Sequence, residues 1–217
     1  MDKNGRENFR PEISLNKERN RAHMIKRAAA AVLGIFLAVS LAGCSNNLKL
    51  KLPFFSVDPK PDYESGTTEE EFHGITYQIP SSWKSQQSED GNIVYYFPES
   101  EQEDMPVSIL LQYSYMDEEL WEDGEEALLH SLASDYESLE GIRDFKQEDS
   151  SLGSIPTVKI TCTQTMGEEE EDYAARYVLI PVNREAVLIA ASAVPEKADN
   201  SYEADFEHIC ESIEIPQ

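Results

Sequence analysis

The chain of 217 residues carries 42 Asp and Glu residues against 18 Lys and Arg residues, which gives a formal net charge of −24 at pH 7. A nucleic-acid-binding protein needs a basic surface to replace the counterions of the phosphates, so this charge excludes nucleic acid as a partner. Anionic lipid head groups and polyanionic substrates are also repelled, whereas cations, basic proteins and neutral ligands remain open as partners.

An apolar segment near the amino terminus has the pattern of a secretory signal. The basic pair Lys26 and Arg27 precedes residues 28–42, an apolar run that only one glycine and one serine interrupt. A membrane-spanning helix needs about 20 apolar residues, so this run is too short to be one. An uncleaved signal anchor, or a buried helix, is the alternative that the segment leaves open.

The end of this segment indicates lipidation. Residues 41–44, with the sequence Leu-Ala-Gly-Cys, resemble the bacterial lipobox, whose cysteine receives a diacylglyceryl group and then becomes the new amino terminus. The resemblance implies that Cys44 is the lipidation site. Two acyl chains anchor a protein stably, whereas a single chain binds a membrane reversibly. We therefore expect a lipid-anchored protein on the extracytoplasmic face of a bacterial cell membrane.

The residues before the signal leave two places for translation to start. Residues 2–23 are polar and charged, which is long for the leader of a signal segment, while a start at Met24 gives an ordinary length. In either case residues 1–43 do not belong to the expected fold. Their removal takes away eight basic and four acidic residues, which leaves 10 basic against 38 acidic residues and a net charge of −28.

The mature chain divides into a tether and one domain. Residues 44–71 contain four Pro and Gly residues and end in the acidic run Glu69-Glu70-Glu71, a composition typical of a flexible tether. Residues 72–217 follow without a second linker, and their 146 residues are a common size for a single domain.

Apolar alternation predicts the strands of this domain in chain order. Strands are expected over residues 75–79, 93–97 and 107–115, near Phe145, and over residues 157–165, 172–180 and 186–193. The strand over residues 107–115 is expected to be half exposed, and residues 80–83 are expected to form a turn. Short turns join the last three strands, which predicts an antiparallel meander.

Two helices interrupt or follow these strands. Asp123 with Glu126, and Asn200 with Glu203, have the spacing of a capping box at a helix start. The first helix extends over residues 123–139 and Gly141 closes it. The second helix has one apolar face, which should pack on the sheet and consists of Phe206, Ile209, Cys210 and Ile213. Antiparallel strands with two inserted helices predict an α+β domain.

The order of these elements resembles a known fold. The domain opens with the motif Tyr77-x-Ile79-Pro80-x-x-Trp83, and together with the meander and the last helix this resembles the PsbP-like family. That family includes photosystem accessory proteins, a nuclear factor that binds the Ran GTPase, and small bacterial lipoproteins. The resemblance implies a central antiparallel sheet of about six strands with helices packed on both faces, an α/β/α sandwich. It implies an accessory or binding role without a shared active site.

The sequence contains no constellation that favours catalysis. Ser81 and Lys84 match the Ser-x-x-Lys of penicillin-recognising enzymes, but the accompanying Lys-Thr-Gly and Ser-Asp-Asn motifs are absent. Three histidines remain in the mature chain without forming a motif, and we expect them at surface or internally satisfied positions rather than as ligands or bases. They are His73, His130 and His208.

The candidates for cation binding and for a disulfide are few. Glu169, Glu170 and Asp172 lie in the densest acidic run and are weak candidates for a calcium site, although a solvated turn without EF-hand spacing is favoured. Cys162 and Cys210 can form at most one bridge. Two buried, unpaired thiols are favoured, because free cysteine is among the most buried residue types. No cofactor is expected.

These observations favour a non-catalytic binding or accessory module with an envelope protein or a basic protein as its partner. The alternatives are a receptor for a cation or small ligand and, third, a hydrolase that acts on envelope material. The hydrolase requires a cleft that holds two converging carboxylates with a raised pKa, which abundance of Asp and Glu alone does not indicate.

Overall fold

The structure, a computed structural model, describes residues 60–99, 108–166, 171–195 and 201–216. Within these ranges the chain forms nine strands, two α-helices and two short 3-10 helices. The strands are β1 (Thr67–Phe72), β2 (Ile75–Pro80), β3 (Trp83–Gln87), β4 (Ile93–Pro98), β5 (Ser108–Tyr115), β6 (Ile142–Leu152), β7 (Ile155–Met166), β8 (Glu171–Asn183) and β9 (Ala186–Pro195). The helices are α1 (Glu125–Glu137) and α2 (Ser201–Glu211), and the 3-10 helices are η1 (Asp62–Ser65) and η2 (Glu118–Trp121).

Seven of these strands form one antiparallel sheet. Their order is β3-β4-β5-β9-β8-β7-β6, so β3 and β6 are its edges. Strands β7, β8 and β9 pair consecutively, which confirms the predicted meander. Strands β1 and β2 form a separate two-stranded sheet, and a backbone bridge between Thr76 and Glu214 ties it to the carboxyl-terminal segment.

The sheet departs from the prediction in its strand count and in its central strand. The predicted sheet has about six strands, whereas the main sheet has seven: the unpredicted β3 begins at Trp83, the last residue of the predicted turn, and the predicted β2 lies outside this sheet. The prediction that residues 107–115 are half exposed is wrong for β5, in which seven of the eight residues are buried. This strand lies between β4 and β9, and both of its sides face apolar clusters.

Two hydrophobic clusters make up the core of the described residues, and neighbouring residues of the central strands alternate between them. In β5, Leu110 belongs to the first cluster, while Ile109 and Leu111 belong to the second. The first cluster contains the apolar side of α1, namely Leu128, Leu129, Leu132 and Ala133. The second contains the β2 residues Ile75, Tyr77 and Ile79 together with the α2 residues Phe206, Ile209 and Cys210. Each fully buried Leu or Ile contributes about 1.5–3 kcal/mol relative to an exposed one.

The folded part begins earlier than the sequence predicts. Residues 62–71 belong to the predicted tether, but they form η1 and most of β1. The three glutamates of the acidic run are exposed in β1 and pair through their backbone with Thr76, Tyr77 and Gln78 of β2. A strand that pairs through its backbone and leaves its side chains exposed shows no apolar alternation. Its sequence is therefore typical of a linker.

The helices begin and end close to the predicted positions. Gly124, with a φ of 95°, occupies the N-cap of α1, so the prediction that Asp123 is the N-cap residue is wrong. The capping role of Asn200 lies outside the described residues. The predicted apolar face of α2 is confirmed for its three helical residues, which are buried, and Ile213, also buried, lies just past the end of the helix. Among the residues that the structure describes, no helix is long and apolar enough to cross a bilayer.

The outer edge strand β6 is longer than the short strand predicted near Phe145. Its 11 residues pair with β7, and the register shifts between Arg143 and Lys146. Asp144 within this shift has a φ of 51°, which bends the strand at a β-bulge.

Candidate functional site

A cleft lies between helix α2 and the strands β6, β7 and β8, and we call it the α2 cleft. Its volume is about 240 Å³. Helix α2 packs against β2, β9 and η1, and the cleft lies beside it, between the helix and the strands toward β6. The sheet and the helix therefore form the two walls of an open groove.

The bottom of the α2 cleft is apolar. The strands contribute Val178 and Ile180, which are buried, and Leu152, which is partly buried. The helix contributes Phe206 and Cys210, which are buried in the same cluster. A ligand that enters the cleft therefore meets hydrocarbon below the charged residues of the rim.

The sheet wall of the cleft carries three positive charges and one negative charge, that of Glu148. Lys146, Lys159 and Arg176 line it, and these are three of the seven Lys and Arg residues within the described ranges. Arg176 donates to Glu203 on the helix, with Nη2 2.7 Å from Oε1. Within the part of the chain that the structure describes, no ion pair engages Lys146 or Lys159. Two ammonium groups thus stand at the mouth of an apolar groove in a strongly acidic protein.

The helix wall carries negative charge at regular intervals. Glu203, Glu207 and Glu211 are four residues apart, so they share one face of α2, and all three line the cleft. The cleft therefore has three cations and one carboxylate, that of Glu148, on its sheet side and three carboxylates on its helix side, an arrangement that orients a polar or charged ligand across it.

A local anchor fixes the position of α2. The buried carboxylate of Asp205 accepts hydrogen bonds from the backbone N–H groups of Asp62, at 3.1 Å, and Tyr63, at 2.9 Å. Burial raises the pKa of Asp205 above its ordinary value. The indole of Trp83 donates to Asp62 Oδ2 at 2.8 Å, and His208 stacks on Tyr63 with ring centroids 4.4 Å apart. The 3-10 helix η1 thereby holds α2 on the sheet.

Both cysteines of the described domain are buried, free thiols. Cys210 lies at the bottom of the cleft and Cys162 lies in the other hydrophobic cluster, so the two thiols belong to different parts of the core. Burial raises the pKa of Cys210 to about 12 and that of Cys162 to about 11. A thiol with so high a pKa stays protonated at neutral pH and is a poor nucleophile.

The structure separates the residues that the sequence singles out for chemistry. Cys44, Glu169 and Glu170 lie outside the described residues. Asp172 accepts from Arg143 and from Thr165 Oγ1, the latter at 2.8 Å, and its hydrogen bond with the Arg143 guanidinium holds the pKa of Asp172 below its usual range.

Ser81 and Lys84, the two residues of the Ser-x-x-Lys match, also contact different residues. Ser81 Oγ lies 3.0 Å from Thr68 Oγ1, while Lys84 Nζ forms an ion pair with Glu99 Oε1 at 3.3 Å. The hydroxyl and the ammonium thus have separate partners, as expected for a turn that leads into an edge strand.

Sequence reasoning missed two features. His130, expected at a position without a ligand role, lies 3.0 Å from Asp149 and close to Glu126. The spacing of Glu126 and His130 along one helix was a visible signal, whereas nothing in the sequence pointed to Asp149. The α2 cleft was also missed, because its walls come from separate segments of the chain, residues 146–180 and 203–211.

Comparisons with solved structures identify the fold. PsbP (CyanoP) from Synechocystis sp. PCC 6803 is 11% identical, with a TM-score of 0.50 over 69% of this chain and 92% of that chain. LpqN of Mycobacterium tuberculosis, involved in cell envelope biogenesis, is 15% identical, with a TM-score of 0.49 over 70% and 91% of the two chains. The Ran-binding protein Mog1p of Saccharomyces cerevisiae is 14% identical, with a TM-score of 0.45 over 69% and 95%. Neither protein-family models nor curated proteins match the sequence. The domain has a PsbP-like fold, as the sequence resemblance predicts.

Proposed function

We propose that the protein is a non-catalytic binding module, held by a lipidated Cys44 on the extracytoplasmic face of a bacterial membrane. The α2 cleft is its ligand site and takes a small amphipathic molecule that combines an apolar body with an anionic group. The observation that carries this proposal is the apolar bottom of the cleft beneath Lys146 and Lys159, which have no ion-pair partner among the described residues.

The layering of the domain supports this location. Neighbouring residues of a strand point to opposite sides of a sheet, so the alternation of β5, β8 and β9 between the two clusters supports positions for α1 and α2 on opposite faces. We infer an α/β/α sandwich in which α2 and the β1-β2 hairpin share one face. The α2 cleft is then the part of that face nearest the β6 edge.

The size and the chemistry of the cleft define the ligand class. Pockets for drug-sized ligands have volumes of about 300–1,000 Å³, so 240 Å³ suits one ring system or a short acyl group. An anionic group gains from Lys146 and Lys159, since a charge-assisted hydrogen bond is roughly twice as strong as a neutral one. The carboxylates on α2 repel an anion from the other wall and therefore fix the direction in which the ligand lies.

The groups in the cleft favour binding over catalysis. The raised pKa of Cys210 keeps its thiol protonated, and Glu203 is engaged by Arg176. A protein partner is the second candidate, with the exposed acidic side of β1 as a surface that fits a basic protein.

A fluorescent anionic probe tests the proposal. We expect 8-anilinonaphthalene-1-sulfonate to bind the mature chain, residues 44–217 with Cys44→Ser, at one site with enhanced fluorescence. Lys159→Glu should weaken binding about tenfold, which corresponds to roughly 1.4 kcal/mol. The matched control is Lys84→Glu, which reverses a lysine outside the cleft and should leave the affinity unchanged.

Melting temperatures of the three proteins establish that each is folded when the probe is added. Equal affinity for the Lys159 and Lys84 variants would overturn the assignment of the α2 cleft. Complete absence of probe binding to the unaltered mature chain would also overturn it and would make the protein-docking function the better explanation.

A further inference from the structure

Three side chains from two different elements bring one imidazole and two carboxylates together. Glu126 and His130 lie one turn apart on α1, and Asp149 lies on β6. Their potential ligand atoms are all within 4.8 Å of one another, and His130 Nε2 lies 3.0 Å from Asp149 Oδ1. The fold thus brings together one imidazole nitrogen and two carboxylate groups. Asp149 follows His130 by 19 residues and Glu126 by 23 residues in the chain.

We propose that Glu126, His130 and Asp149 bind a divalent transition-metal ion, with Zn²⁺ as the best fit. Zinc accepts His nitrogen at about 2.0–2.1 Å and carboxylate oxygen at about 2.0–2.2 Å, which places two tetrahedral ligands about 3.4 Å apart. The Asp149 side chain is 69% exposed and the His130 side chain 39% exposed, so small rotations of the side chains can close the present spacing to that value.

A neighbouring amide orients the imidazole for this role. Gln147, two residues before Asp149 on β6, hydrogen-bonds through its side-chain amide to His130 Nδ1. The oxygen and nitrogen of such an amide can exchange places by a flip. With the oxygen toward the ring, Gln147 accepts the proton of Nδ1, and His130 then presents the lone pair of Nε2 beside Asp149. Ligating histidines are commonly held in this way by a hydrogen bond to their second nitrogen.

The donor chemistry selects the class of metal. Calcium and magnesium prefer sites made entirely of oxygen ligands, so the imidazole favours zinc and its neighbours in the transition series. An ion pair between His130 and Asp149 involves these two groups alone. Glu126 adds a second negative charge to the cluster, and a divalent cation balances the two carboxylates. Three protein ligands leave a fourth position for water or for a donor atom of a partner.

This metal site is separate from the α2 cleft. Lys146 and Glu148 of β6 line the cleft, whereas Gln147 and Asp149 contact or approach α1. Adjacent residues of a strand point to opposite sides of a sheet, so one edge strand serves two sites without sharing a side chain. Absence of ligand binding in the α2 cleft would therefore not test the proposed metal site.

Zinc binding to the full-length chain tests the proposal. The chain is purified in detergent, stripped with EDTA and dialysed against Zn²⁺ in the presence of excess Mg²⁺, and bound zinc is measured by atomic absorption. We expect one Zn²⁺ per chain with an affinity that Mg²⁺ does not affect. His130→Gln and Asp149→Asn should each weaken binding at least tenfold, and Gln147→Leu should weaken it less but measurably.

His73→Gln is the matched control, because His73 is also exposed but has no carboxylate cluster around it in the described residues. Glu126→Gln is the second variant, since Glu126 is exposed in the first turn of α1 and its loss should leave the fold intact. Circular dichroism without metal checks the folding of each variant. Binding that is equal in all variants, or absent from the unaltered chain, would overturn the proposal.

Discussion

The two buried thiols show what burial alone does to a reactive side chain. Cys162 and Cys210 keep raised pKa values because the folded protein withholds water from their charged forms. We expect neither to react with a thiol reagent at pH 8 within minutes in the folded protein, and both to react at once in denaturant. A titration with an aromatic disulfide reagent measures this.

The stoichiometry in denaturant is decisive for this prediction. Two thiols per chain are expected, because the Cys44 sulfur is blocked if it is lipidated. No reactive thiol in denaturant would mean that Cys162 and Cys210 form a bridge, and rapid reaction of the folded protein would contradict the burial of both side chains.

Other single residues show where sequence reasoning stops. Alternation correctly placed Tyr77 in a buried strand position, yet nothing in the sequence indicated that its hydroxyl meets that of Tyr96 at 2.6 Å. A buried hydroxyl needs a partner, but the identity of the partner depends on which strands come together. The same holds for His130 and Asp149, which the packing of α1 on the sheet joins.

At the scale of elements, the position of α2 depends on its contact with η1. Asp205→Ala removes the acceptor of two backbone N–H groups and should lower the free energy of unfolding by about 1–3 kcal/mol. Urea denaturation of the two proteins measures the difference. Glu207→Ala, an exposed change on the same helix, is the control and should shift stability by less than about 0.5 kcal/mol. Equal effects of the two changes would mean that η1 does not hold α2.

The elements that the sequence predicted are those whose apolar residues recur at regular spacing. Strands β2, β4, β7, β8 and β9 and the apolar face of α2 follow from this spacing, because their apolar residues are buried in one or both clusters. The polar strands β1 and β3 were missed, since only their backbone and a single buried residue each join the fold. The exposure of β5 was misjudged, because burial on both sides depends on the neighbours that the topology supplies.

The spacing of residues along the chain did not predict the candidate sites, because each site lies between two elements that the topology brings together. Lys159 of β7 and Glu207 of α2 face one another across the cleft only because α2 folds back over the sheet. Local periodicity describes one element at a time, and a cleft is a property of two. Of the proposed metal ligands, Glu126 and His130 lie within a single helix, and their spacing of four residues is visible in the sequence.

For the whole molecule, the acidic composition bears on the proposed anchor. Without residues 1–43 the chain has a net charge of −28, which anionic lipid repels, so in this proposal the acyl chains supply the affinity for the membrane. Cys44→Ser should abolish incorporation of labelled palmitate and should move protein from the membrane fraction to the soluble fraction. Cys210→Ser, which changes a cysteine inside the domain, should leave both properties unaltered. A Cys44 variant found wholly in the membrane fraction would contradict the anchoring proposal.

The bulge in strand β6 has a consequence for chains held side by side on a membrane. The edge of a sheet offers free backbone groups to any neighbouring strand, and confinement to a surface raises the rate at which two such edges meet. In β6 the register shift between Arg143 and Lys146 and the bend at Asp144 break the straight row of backbone groups that a second strand would need. The opposite edge, β3, has only five residues. Copies brought together by the proposed anchor are therefore hindered from joining their sheets through these edges.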